Sequence, residues 1–359
     1  MTKIPLPFFS HLPFPSETLR PLLLFPLPRP SPPPPPMAAP PPSAASAAAG
    51  GGFPTPLSPP YPAVSKEVEL RRAMSAAARS GACAAAEVVF EDEWLVVANK
   101  PSGIYCETLL SILADPRGAA TNQSNLHLAN RLDRDTSGLM VITKCNKVAA
   151  KLVKAFTDHK VKKTYLALCV GNAPKWEKIK ISSGHGRSKF GAFRVYSAKD
   201  VGRTLPGGSL AKHMTTSFEV LGINGRGKFR ERSDIEKGEI ESIIVQEKGV
   251  EIIESDDEKK DEILVRAYPQ SGRTHQIRLH CQYLGMPIKG DVKYGGVYEW
   301  KGETCDAHAL HAESLSFMHP ITSLPLLFQA PLPLWAIEAM LNFKNMVSAV
   351  KIPTKKQLE

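Results

Sequence analysis

The chain has 359 residues and a formal charge of +10, and its six cysteines (Cys83, Cys106, Cys145, Cys169, Cys281, Cys305) form no CxxC pair, which argues against a disulfide frame or zinc site and for a reducing compartment. No apolar run reaches membrane-spanning length, because prolines interrupt the neighbours of Leu22–Leu24. Residues 231–262 carry thirteen Asp/Glu against five Lys/Arg, so the rest of the chain stands at +18, a bias that suits phosphate backbones and, less specifically, any soluble basic protein.

Residues 1–62 hold 21 of the 32 prolines, and such a segment buries too little apolar surface to offset its ordering entropy. Residues 1–65 are therefore read as a disordered Pro/Ala-rich tail. Residues 1–36 have one acid, Glu17, against Lys3, Arg20 and Arg29, a composition that loosely suits an organelle transit peptide, with Met37 as an internal start. Residues 66–86 form a helical extension, with the helix over Lys66–Ala78. A catalytic domain is expected over 87–345. It opens with two short strands over Glu87–Asn99, a turn at Lys100–Gly103 and a short helix at Leu109–Leu113. Leu139–Thr143 reads as a buried strand, Lys147–His159 as a helix with Val148, Leu152, Ala155 and Phe156 on one face, and Val161–Val170 as a strand. Strand-like runs follow at 190–196, 214–221 and 262–268. Residues 223–261 read as an acidic insertion looped out of the fold, with a short strand among Ile240, Ile243, Ile244 and Val245. Thr274 is the expected N-cap of a helix ending at Leu284, with Gly285 just past it. A strand around 308–318 and a helix at 334–343 close the domain, and 346–359 is a basic tail. The tally predicts an α+β fold on one mixed, mostly antiparallel sheet with flanking helices.

One loop stands out. In HLANRLDRDTSGLMVITK, residues 127–144, Arg131, Asp133, Arg134 and Asp135 crowd four charges into five positions before a core strand. Asp133 is there either a nucleophile held ionised by its neighbours or a structural ion pair, and the structural reading leads from this stretch alone. In QSGRTHQIRLHCQYLGMPIKGDVKYG, residues 270–295, Arg273 and His275 sit at a helix start suited to an anion, with Arg278 one turn on. Capping with solvated arginines is the plainer reading. Tyr165, in KKTYLALCVG, would be core packing on its own. The run GHGRSKFGAFRVY, 184–196, interleaves Arg187, Lys189 and Arg194 with Phe190 and Tyr196, which suits RNA as well as a solvated basic hairpin.

Taken together, RLDRDTSGLMVITK, KKTYLALCVG, SGRTHQIRLHCQYLGMPIKGDVKYGG and ALHAESLSFMHP resemble, in order, the RluA-type RNA pseudouridine synthases, over roughly residues 87–340. The resemblance implies the pseudouridine synthase fold. It makes Asp133 the catalytic nucleophile, Tyr165 the residue that packs on the target base, and Arg278 the partner of the catalytic aspartate. Arg131 would help displace the base, and Arg134, Arg273 and His275 would join it in RNA contact. Asn130 departs from the family, which has histidine there. Only about two dozen residues separate the proline-rich tail from Glu87, too few for an S4 RNA-binding domain.

The chemistry implied is detachment of uracil from C1′ of its ribose, rotation and rejoining through C5. It needs a carboxylate near C1′ or C2′ and a uridine flipped from its stack, but no metal or cofactor. The expected partner is RNA (ribosomal, transfer or messenger), bound by a monomer in a chloroplast or mitochondrion if residues 1–36 target it, and otherwise in cytoplasm or nucleus. The alternatives are an inactive RNA-binding or RNA-chaperone protein on the same fold, which would account for Asn130, and a glycosidase of small nucleosides, which leaves the +18 background unexplained.

Overall fold

The β-branched runs of the sequence become strands of one sheet in a computed structural model that describes residues 52–82, 87–114, 126–225, 241–246 and 260–341. In chain order the elements are α1 (Lys66–Ala82), β1 (Glu87–Glu91), β2 (Leu95–Lys100), α2 (Cys106–Ala114), β3 (His127–Leu128), β4 (Ser137–Thr143), α3 (Asn146–Thr157), β5 (Lys162–Gly171), β6 (Lys178–Arg187) and β7 (Phe193–Tyr196). They continue as β8 (Lys212–Ile223), β9 (Glu241–Ile244), β10 (Asp261–Pro269), α4 (Gln276–Tyr283), β11 (Glu299–Trp300), β12 (Glu303–Thr304), β13 (Leu310–Met318), β14 (Pro325–Gln329) and α5 (Leu334–Leu341). Strand order is β1-β2-β4-β13-β5-β10-β8-β6-β7, with β14 on β13, β3 on β4 and β9 on β6. Among the described residues only β4–β13 and β6–β9 are parallel, so the sheet is mixed and mostly antiparallel.

Both faces of the β2–β4 region are covered, which is why these strands read as continuous apolar runs. With a side-chain period of two, Leu139 and Val141 point to a core with Val148 and Leu152 of α3. Met140 and Ile142 point the other way, to Leu109 and Leu113 of α2. The larger core lies at the centre of the sheet, where Ile277, Leu279 and Cys281 of α4 meet Leu168, Phe218 and Val265.

Several expectations need correction. Residues 52–62 were assigned to the disordered tail, yet they lie along β7: Leu57 N donates to the Val195 carbonyl at 2.8 Å, Val195 N donates to Ser58 Oγ at 3.1 Å, and Tyr61 meets Tyr294 edge-on. The prolines there restrict the unfolded chain, which lowers the entropic cost of laying the segment down. Thr274 is not the cap of α4. The helix begins at Gln276, and His275 occupies the cap position in a left-handed conformation with φ of 59°. The Gln276 side chain, not Thr274, ties the entry loop, accepting from Arg273 N and Ser271 Oγ. The acidic segment is not wholly looped out. Its apolar centre pairs as β9 on β6, and Val245 is fully buried. The remainder, 226–240 and 247–259, lies outside the described residues, as do 1–51, including the candidate transit peptide, and the tail at 346–359. Five strands carry no signal that the sequence reading picks up: β6, β14 and the two-residue strands β3, β11 and β12. In β6 (KIKISSGHGR) only Ile179 and Ile181 serve the apolar core.

Gly138 is where the charged loop joins the sheet. Its φ is +109°, and a Cβ there would lie 2.3 Å from the Ala312 carbonyl oxygen of β13. Both the backbone angle and the close approach require glycine. Gly138→Ala should lower unfolding free energy by at least about 2 kcal/mol in urea denaturation. A variant within experimental error of the parent would show that this approach does not constrain the fold.

Candidate active site

The loop between β3 and β4 carries RLDRD, and its two aspartates divide the work. Asp135 faces inward. It accepts two hydrogen bonds from Arg134, at 2.8 and 3.1 Å, and one from Arg72 of α1, at 3.0 Å. Arg72 also donates to the carbonyls of Gly290 and Cys305, so one guanidinium fastens α1, this loop and the segments before β13. Lys100 is buried and donates Nζ to the carbonyls of Pro101, Ile104 and Arg134, each at 2.9 Å. Burial pushes its ammonium down to about 8. Thr136 Oγ1 meets His308 Nε2 at 2.7 Å.

Asp133 faces a cavity instead. Arg278 Nη1 donates to its Oδ2 at 2.6 Å, and His275 Nε2 lies 3.7 Å from Oδ1. The same Arg278 clasps Asp291 with Nε at 2.7 Å and Nη2 at 2.8 Å, and its guanidinium sits 4.9 Å from the Tyr294 ring centre. Its side chain is 8% exposed, that of Asp291 2%, and that of Asp133 28%. One buried cation therefore serves two carboxylates. Burial pushes the Asp133 carboxyl up, but the Arg278 charge and hydrogen bond, joined by the charges of His275 and His308, outweigh it and leave the group below the usual carboxylate range. Asp291 is shifted down by the same opposition of burial and Arg278. His275 and His308 are each pushed to about 4 by burial and by Arg278, so both are neutral near pH 7.

Tyr165 of β5 lines this cavity with Asp133, His275, Arg278, Arg273 and Arg131. Burial and the Asp133 charge raise its phenol well above the usual value, so it stays protonated. At about 1050 Å³, the cavity reaches the upper end of the size range of small-molecule sites. Arg131 stands at its edge, exposed and paired with Glu107 at 2.8 Å, a contact weak enough to exchange for another anion. The Asn130 side chain accepts from Val141 N at 2.8 Å, tying the loop to β4.

The structure thus brings together Asp133, Tyr165, Arg278, Arg131, Arg134, Arg273 and His275. It does not bring the β6–β7 hairpin to the cavity wall. Arg187 lies over Phe193, Lys189 over Phe190, and Arg194 is engaged with Ser58. Unread from sequence were Asp291, His308, Lys100, Arg72 and Lys163. Asp291 left one signal, a lone acid in the basic run IKGDVKYG between glycines that adopt positive φ, 78° at Gly290 and 82° at Gly295.

An ionised carboxylate on a buried arginine, in a basic cavity of nucleotide size beside a protonated tyrosine, defines an enzyme that acts on a nucleic-acid component. Residues 94–283 match the family model described as RNA pseudouridylate synthase. The chain is 69% identical over 291 residues to RNA pseudouridine synthase 1 of Oryza sativa subsp. japonica, covering 80% of this chain and 84% of the relative. It is 52% identical over 286 residues to the Arabidopsis thaliana protein of the same name, covering 79% and 87%. Ribosomal large subunit pseudouridine synthase D of Vibrio cholerae is 29% identical over 277 residues, covering 72% and 71%. The chain belongs to the RNA pseudouridylate synthase family, isomerases that convert uridine to pseudouridine.

Removing Arg278 should reverse the sign of the carboxylates' contribution to stability against pH. In the parent, Asp133 and Asp291 bind protons less readily folded than unfolded, so their pairing with Arg278 stabilises fully above about pH 5 and is lost as pH falls through the carboxylate range. In Arg278→Met, Asp291 is a buried carboxylate without its cation, and its folded pKa rises above the unfolded one. The variant should lose about 3–5 kcal/mol at pH 7, and this deficit relative to the parent should shrink as pH is lowered from 7 towards 5, because the burial of the histidines weighs on both proteins alike. Urea unfolding at several pH values measures both slopes. Parallel slopes in parent and variant would show that Arg278 does not hold the two carboxylates ionised.

Proposed function

We propose that Asp133 is the group that acts on the ribose, attacking C1′ or taking the C2′ proton, while the uracil is released, turned and rejoined through C5. The reading is carried by one observation, an ionised Asp133 fixed by Arg278 at 2.6 Å inside a cavity that also holds Tyr165. A carboxylate is the right group, since the sugar gains cationic character as the C1′–N bond breaks. Tyr165 offers the flipped base an aromatic face, and its raised pKa keeps it a neutral phenol there. Arg131, tethered only by an exposed ion pair, is free to fill the gap left by the flipped uridine. No step requires a redox partner or an energy source.

The substrate is a uridine in RNA, and the class to be sorted is ribosomal, transfer or messenger. We read the active unit as a monomer, because Asp133, Arg278 and Tyr165 of one chain already supply the carboxylate, its cation and the aromatic face that the chemistry needs. Residues 1–36 are read as directing the chain to a chloroplast or mitochondrion, and a fluorescent fusion of that segment tests this.

Asp133→Asn keeps the shape and removes the charge. Incubated with total RNA from cells lacking the protein, it should form pseudouridine more than about a thousandfold slower than the parent. RNA affinity should change little, because phosphate contacts dominate it. Pseudouridine mapping at nucleotide resolution reads the rate and identifies the RNA. Turnover retained in Asp133→Asn would remove Asp133 from this role, and a parent chain with no sites to modify would favour an RNA-binding protein that has lost catalysis.

A further inference from the structure

Two cations of the cavity have no part in the chemistry described above. Lys163, at the start of β5, donates Nζ to the Ser271 carbonyl at 2.9 Å. Arg273, in the loop before α4, donates Nε to the His213 carbonyl at 3.1 Å. Both line the cavity that holds Asp133. The carboxylates around them are engaged elsewhere: Asp133 and Asp291 with Arg278, and Asp135 with Arg134 and Arg72. Among the described residues, no ion pair joins an acid to Lys163 or Arg273.

Their surroundings are cationic as well. Burial and the Arg273 charge push the Lys163 ammonium down to about 8, and burial, with the Arg273 and Lys212 charges adding to it, pushes the His185 imidazole down to about 4. Like charges held side by side without an anion are an arrangement that folding alone does not favour, and a bound anion relieves it. Each cation is tied by a single carbonyl, which leaves two N–H bonds on Lys163 and four on Arg273 for another acceptor. Gly272 lies between Ser271 and Arg273, and a Cβ there would meet only Lys163 Nζ, at 3.5 Å. The backbone beside the two cations is therefore bare enough for close approach.

We propose that Lys163 and Arg273 seat a phosphodiester of the RNA strand adjoining the nucleotide held at Asp133. The inference rests on the function proposed above and names the part of the substrate that fixes its register. A lysine and an arginine suit a phosphodiester by charge and by the number of donors they present. The seat differs from the hairpin cations Arg187, Lys189 and Arg194, which do not line the cavity.

The test uses the full chain carrying Asp133→Asn, so that the RNA is not altered during measurement. Binding of a labelled single-stranded oligouridylate is followed by anisotropy between about 50 and 200 mM KCl. The double variant Lys163→Gln/Arg273→Gln, which empties the seat, should make the slope of log affinity against log salt shallower by about 0.7, the value of one single-strand phosphate contact, and each single variant should make it shallower by part of that. Lys163→Arg should keep the parent slope, and so should Lys199→Gln, a surface charge outside the cavity. Circular dichroism verifies that each variant is folded. Unchanged slopes in the glutamine variants overturn the proposal. So does a loss in Lys163→Arg as large as in Lys163→Gln, because charge would then not be what holds the RNA. Inorganic phosphate alone provides the second arm. Thermal stabilisation by phosphate that disappears in the glutamine variants, with RNA slopes unchanged, would assign the seat to free phosphate. Failure of the catalytic reading would show separately, as turnover by Asp133→Asn itself.

Discussion

A single guanidinium holds the site together. Arg278 faces Asp133 with one nitrogen and Asp291 with two, and it is almost entirely removed from water. Moving three ionised groups out of water costs several kcal/mol per ion, and attraction between opposite charges at about 4 Å returns about 4 kcal/mol at an effective dielectric near 20. The balance closes only because the geometry is fork-like and every contact is short. Its outcome is visible in the carboxylates, which end below their ordinary range despite burial. Asp291 fixes the orientation of Arg278, leaving one N–H to meet Asp133 at the cavity.

The rest of the structure maintains that orientation. All eight residues of α4 are buried, so the helix has no solvated face for its polar side chains. They bond inward instead: Gln276 to Ser271, Thr215 and Thr216, and His280 to Ser183 and Thr216. These bonds explain why β6 and β8 carry serine and threonine where a plain core strand would carry valine or isoleucine. Across the cavity, the RLDRD loop is held by a parallel set of contacts, Lys100 on three carbonyls and Arg72 on Asp135. Two aspartates two residues apart therefore have opposite roles. Asp135 is neutralised by arginines and fixes the loop, whereas Asp133 projects from it with 28% of its side chain exposed.

Legibility in the sequence followed the range of the physics. Strands β2 and β4 could be read because β-branched runs buried on both faces leave a local signature. The helix α3 could be read from its apolar stripe. Strand β6 gives no local signal because its polar positions are satisfied by distant partners, Ser182 by Thr215 of β8, Ser183 by His280 of α4 and His185 by the Thr274 carbonyl, and no local period records that. The tail was misjudged at 52–62, where composition says nothing of the edge of β7 that receives it. At the site, the charge density of RLDRD flagged the loop, but only the family resemblance selected Asp133, Tyr165 and Arg278 from their plainer readings. Asp291 and Lys163 escaped both routes, since each matters through a partner that no helical or strand period links to it, Arg278 for Asp291 and the Ser271 carbonyl for Lys163.

The account turns on whether Arg278 keeps the Asp133 carboxyl ionised in the folded protein. Carbon-13 NMR of aspartate-labelled protein, with the Asp133 signal assigned by its absence from Asp133→Asn, follows that titration directly. The account predicts an apparent pKa below about 4, the ordinary value for this side chain, and a rise above it in Arg278→Met. A carboxyl that titrates above about 5 in the intact protein, or that does not move when Arg278 is removed, would contradict it.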